Sequence, residues 1–264
     1  MASANPPALR PAGPAPQGRD SGETGEVTFW DHIQELRSRL IRIIMGLGVG
    51  SGIAYFYWEQ IWEALANPIT KQHLKVGFIA TSPMETVVTS LKMSVISGAI
   101  LSFPFTMWHV WRFLAPALFA KEKKLFLIAF FSSVIMFGVG AAFAYFAVLP
   151  AGLAFLATYT DGAITQAWRQ GDFAAFISQF MLAFGVIFEL PVAAFVLSVM
   201  GLVTARGMWG FFRYAVILIF IVAALLTPGP DPISQLMMAT PLLILYLMSI
   251  GIAAVAGRPQ AGSA

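Results

Sequence analysis

The chain has 264 residues, of which 58% are apolar and only 11% charged, where a soluble domain carries roughly 25% charged residues. So little charge cannot coat a water-soluble fold of this length, which excludes an ordinary soluble enzyme, a disordered chain and a nucleic-acid binder. The net charge of +3 is modest, and the absence of cysteine excludes disulfides, thiol catalysis and cysteine-ligated metals. The composition is that of an integral membrane protein.

Residues 1–27 are rich in Pro, Ala, Gly and Ser and lack the apolar core of a secretory signal, so they read as a disordered tail. Thr28 and Asp31 fit a capping box that opens a helix. Along it Phe29, Ile33, Leu36, Leu40, Ile43 and Ile44 form an apolar stripe, with Asp31, Glu35 and Arg39 at four-residue steps on another face. Apolar runs then occur at about 40–58, 93–114, 125–149, 174–200, 211–227 and 233–256, each near the length of about 20 residues that crosses a bilayer. This predicts an all-α membrane domain over 28–256 and a short tail over 257–264. The fifth run is short and ends at Pro228-Gly229-Pro230-Asp231-Pro232, and Pro241 interrupts the sixth. Six spans are expected, with both termini on one side; the alternative is a helical hairpin behind four full spans.

Between the first two runs, Trp58, Ile61, Trp62 and Leu65 share one helical face, with Glu59 and Glu63 turned away. This reads as a short helix lying at the membrane interface. In the first run, Gly46/Gly50 and Gly48/Gly52 have GxxxG spacing, which reads as close helix packing. No internal repeat is visible, so the inverted-repeat layout of many carriers has no support.

Placement of Lys and Arg sets orientation. With the N-terminus inside, the inner set holds Arg10, Arg19, Arg37, Arg39, Arg42, Arg112, Lys121, Lys123, Lys124, Arg206, Arg213 and Arg258; the outer set holds Lys71, Lys75, Lys92 and Arg169. Both termini are expected in the cytoplasm.

Intramembrane ionisable residues are the default functional candidates. Glu189 lies in mid-span in LAFGVIFELPVAAF, where a carboxylate costs roughly 2.5–3.5 kcal/mol unless neutral, paired or hydrated. Pro191 removes a backbone donor from the carbonyl of Ile187 and should bend the helix beside it. Glu35 and Glu122 are weaker singly: Glu35 is explained by Arg39 four residues on, and Glu122 by the N-terminus of the third span. Both stand beside the densest cationic set.

At these residues the chain resembles the TatC family, the multi-spanning receptor subunit of the twin-arginine protein translocase. HIQELRSRL (32–40), FLAPALFAKEKK (113–124), FAYFAVLP (143–150), AFGVIFELPVA (183–193) and LLTPGPDPISQ (225–235) follow in that family's order and spacing. The resemblance implies six helices, N-in and C-in, in a concave cup with short fifth and sixth helices. It implies a subunit of the bacterial cytoplasmic (inner) membrane that binds twin-arginine signal peptides of folded proteins. It implies single-span TatA and TatB partners, further TatC copies, and export driven by the proton-motive force. On the same ground Glu122 and Glu35 would read the arginine pair, with Arg37, Phe113 and Pro116 around them. Glu189 would be the intramembrane carboxylate beside Pro191, and Pro68 and Asp231 would belong to the outer loops. Leu247 stands where the family often has Glu.

The chemistry suits the task. A guanidinium meets a carboxylate through two parallel hydrogen bonds, which lysine cannot match, so adjacent arginines call for two acidic groups at the membrane surface. Lys121, Lys123 and Lys124 would hold membrane lipid head groups. No cofactor, metal site, nucleic-acid partner or enzymatic activity is expected. His32, His73 and His109 form no nucleophile motif with a serine, and no phosphate-binding loop is present. The alternative is an ion-coupled small-solute carrier that uses Glu189 as its proton site.

Overall fold

The computed structural model describes residues 29–71, 76–118, 123–158, 166–227 and 232–257. The tail before residue 29, Thr28 with it, lies outside that range, as do Glu122 and Asp231. Nearly everything described is helix. The helix α1 (Phe29–Phe56) starts in the charged HIQELRSRL segment and runs on as an apolar span. After a turn at Tyr57, α2 (Trp58–Lys71) follows, with Glu59 and Glu63 exposed.

The second apolar run is a broken span. Its halves, α3 (Glu85–Leu101) and α4 (Phe103–Leu118), meet at Ser102 with a bend of 52°. Pro104 sits in the first turn of α4, where a missing N–H is tolerated, but it cannot continue the ladder of α3. Next, α5 (Lys123–Phe143) widens into a π-helical turn at Ala144–Val148 and leads into α6 (Leu149–Thr158). Pro150 lies just past the widened turn, where it removes one more helical donor.

The helix α7 (Gln170–Ile187) stops at a turn over Phe188 and Glu189 before α8 (Leu190–Val199), in which Pro191 occupies the first turn. Gly201 ends α8 at φ 75°, with the Leu202 amide donating back to Leu197, a left-handed cap that glycine adopts without strain. The hydroxyl of Thr204 caps α9 (Ala205–Leu226), accepting from the Gly207 amide at 3.1 Å. Last is α10 (Pro232–Ala256), which runs through Pro241. The last two spans, 22 residues each, are shorter than the third and fourth, of 34 and 30. At about 33 Å each still crosses a hydrocarbon layer of about 30 Å. Counting the bent pair as one, six spans result.

A feature that hydropathy does not reveal lies between the spans. Strands β1 (Val76–Ile79) and β2 (Gln166–Arg169) pair in parallel, Val76 opposite Gln166 and Ile79 opposite Arg169. This ribbon ties the connection before α3 to the connection before α7. The main core forms around α7, where Phe173, Ile177, Phe180 and Phe184 pack with Leu149, Leu153, Ile219 and Leu242. The apolar stripe of α2 joins that core: Leu65 and Ile69 are buried in it, and Trp62 meets Phe78 of β1 and Phe173 edge-on. Those tryptophan-bearing turns therefore face protein more than an open interface. A smaller cluster gathers Trp111, Ala129, Val192 and Val196.

Two glycines set the closest helix approach. A Cβ on Gly98 of α3 would stand 2.4 Å from the Ser51 amide nitrogen of α1, and one on Gly50 would stand 2.7 Å from the Gly98 carbonyl. Gly46 lies beneath the Phe105 ring, whereas Gly48 and Gly52 face open space. Of the two GxxxG pairs, only Gly46/Gly50 packs against protein.

Candidate functional site

The charged start of α1 lies along α4, which positions the first group of candidates. Glu35 and Arg39 are one helical turn apart, and the guanidinium donates to the carboxylate through Nε at 3.0 Å and through Nη2 to the same oxygen. The pair is asymmetric. The Arg39 side chain is 11% exposed and that of Glu35 36%, so the carboxylate is the partner that reaches the surface. The pair is therefore part-buried on the Arg39 side, and the carboxylate keeps acceptor capacity toward the surface. Arg37 is exposed two residues on, and Phe113 is half-buried on α4, where Pro116 also lies. The structure brings Glu35, Arg37, Phe113 and Pro116 onto two packed helices. Glu122 follows α4 in the chain, outside the described residues.

Glu189 occupies the turn between α7 and α8. Its amide donates to Val186 three residues back, and its carbonyl accepts from Ala193. The break leaves the side chain half-buried between helices. One carboxyl oxygen, Oε1, is buried without a hydrogen-bond partner, while the carboxyl group also engages the Ser133 hydroxyl of α5. Ser133 in turn accepts from Trp111 Nε1 of α4 at 3.0 Å. A buried polar chain thus runs from α4 through α5 to Glu189. Hydrogen bonds in such surroundings are stronger than in water, and an unmet acceptor is correspondingly costly. The orphaned oxygen leaves the carboxyl group with one unmet acceptor. Leu247, on α10, is exposed.

A further carboxylate escaped the sequence reading. Glu85, at the first residue of α3, accepts from the Thr81 amide at 2.6 Å, the Thr81 hydroxyl at 2.8 Å and the Gly171 amide at 3.2 Å. Arg169 adds an ion pair at 3.6 Å and also reaches Asp172 at 3.5 Å. Glu85 therefore fastens the start of α3 to the start of α7, beside the β ribbon. The available signal was a carboxylate four residues after Thr81, at the head of an apolar run. Pro68 is buried inside α2, so this part of the connection between α1 and α3 is helical.

Residues 31–241 match the TatC family model, described as Sec-independent protein translocase protein. A Sec-independent protein translocase protein TatC from Aquifex aeolicus is 36% identical over 232 residues, covering 87% of this chain and 96% of that protein. The TatC of Koribacter versatilis is 34% identical over 231 residues, covering 86% and 85%. A crystal structure of a twin-arginine translocase receptor TatC superposes with a TM-score of 0.80 at 36% identity, covering 86% of this chain and all of that one.

Proposed function

The chain belongs to the TatC family of Sec-independent protein translocase proteins, and on that premise we propose that it is the receptor for twin-arginine signal peptides. It sits in the bacterial cytoplasmic membrane with both termini in the cytoplasm, residues 1–27 and 257–264 flanking the membrane domain as short tails. It collects folded proteins and passes them, with TatA, TatB and further TatC copies, across the membrane at the expense of the proton-motive force.

The observation that supports this reading best is the Glu35–Arg39 contact. A partly exposed carboxylate at the end of a span already holds a guanidinium through two donors, which supports its use for a signal arginine. Glu35 takes one arginine of the signal and Glu122 the other, with Arg37, Phe113 and Pro116 shaping the surface between them. The apolar stretch of the signal is buried against the spans. The orphaned oxygen of Glu189 receives a donor from a partner helix, and Pro68 and Asp231 belong to the outer surface that faces the periplasm.

The test is capture of the purified full chain by an immobilised twin-arginine signal peptide. Retention should be strong, and should fall about ten- to hundredfold when both arginines become lysines, since one charge-assisted pair is worth about 1.5–3 kcal/mol. Equal retention by both peptides would remove the recognition reading.

A further inference from the structure

The ion pairs among the described residues engage Arg39 and Arg169. Arg42 on α1 and Arg112 on α4 are exposed and make no such pair there. Their charges converge with that of Arg39 on one buried imidazole, His109, whose Nδ1 has no hydrogen-bond partner. His109 is 7% exposed and meets Phe105 edge-on, with ring centroids 4.6 Å apart.

Phe105 also walls an open cleft of about 430 Å³ between α1 and the α3–α4 bend. Arg42 stands at its head, Gly46 and Gly50 form its floor, and Val49, Ile53 and Leu101 line it further along. A second cleft of similar volume shares Arg42 and Met45 and continues to Arg37 and Gln34. The combined groove is cationic at one end and apolar along the rest. From Arg42 to Ile53 it follows eleven residues of α1, about 16 Å, which is one leaflet's share of a hydrocarbon core of about 30 Å.

We propose that this groove is a binding site for an anionic phospholipid, with the phosphate at Arg42 and one acyl chain lying along the exposed Met45, Val49 and Ile53. The charge requires an anion, and the length and apolar lining require a chain of one leaflet. Basic pockets between spans bind anionic head groups in this way. The groove adjoins the signal-peptide site at Arg37, but Arg42 and Val49, the two positions varied below, lie outside that site.

Native mass spectrometry of the full chain in detergent tests it, with dimyristoyl phosphatidylglycerol and dimyristoyl phosphatidylcholine as probes. The wild type should retain the glycerol lipid preferentially. The variant Arg42→Gln should lose that retention about fivefold. Val49→Trp, which fills the groove at an exposed position and leaves Arg42 in place, should lose it as well. Equal retention of the choline lipid would overturn the proposal. So would full retention by either variant, or displacement by millimolar inorganic phosphate, which would mark a free-anion site.

Discussion

Glu189 is held on one side only. Its carboxyl group meets Ser133, which Trp111 supports in turn, while Oε1 has no partner. A buried acceptor left unmet costs about 1–3 kcal/mol, and that cost is removed when another helix brings a donor. Glu189→Ala should therefore insert and fold yet transport poorly, and Glu189→Gln should keep part of the activity because an amide still hydrogen-bonds. Export of a twin-arginine reporter in cells carrying each variant measures this. Full export by the alanine variant would leave Glu189 a packing residue. The position was legible because a carboxylate in a long apolar run is conspicuous. Its anchors were not, since Trp111 and Ser133 lie on other helices and carry no local pattern. Glu85 was missed for the same reason: Gly171, one of its donors, is 86 residues away.

Among the elements, the contact of α1 with α3 rests on two backbones that touch at Gly50 and Gly98. Gly98→Ala places a methyl group against the Ser51 backbone and should destabilise the protein by about 1–3 kcal/mol, the usual cost of overpacking. Gly48→Ala meets nothing within 4 Å and should be tolerated or mildly stabilising, since alanine favours helix by roughly 0.5–1 kcal/mol over glycine. Thermal unfolding of the two variants in detergent separates these outcomes; equal melting temperatures would mean that the close approach carries no stability. Spacing alone offered Gly46/Gly50 and Gly48/Gly52 as equals, because the face a helix turns to its neighbour is decided by packing. The number of candidate spans was legible in the apolar runs, for bilayer thickness imposes their length. The break at Ser102 and the β1–β2 ribbon stayed hidden: Pro104 sits within an otherwise unbroken run, and each strand has only four residues.

For the molecule as a whole, the proposed orientation, argued from the distribution of Lys and Arg, has both ends of the chain in the cytoplasm. Tags at residues 20 and 260 should both be reached only from the cytoplasm, and a tag near Gln72 only from outside, as accessibility labelling of intact and opened cells would show. Termini on opposite sides would contradict six spans. In the proposed orientation the start of α1 lies on the side from which folded cargo arrives, and the central claim of the proposal is that Glu35 and Glu122 hold its two arginines. A double-mutant cycle tests it most directly, with signal-peptide affinity measured for wild type and Glu122→Ala against twin-arginine and twin-lysine signals. Glu122→Ala should weaken binding of the native signal about ten- to hundredfold while the protein remains folded. The two changes should be less than additive, because each removes the same contact. Wild-type affinity in Glu122→Ala, or losses that simply add, would contradict the account.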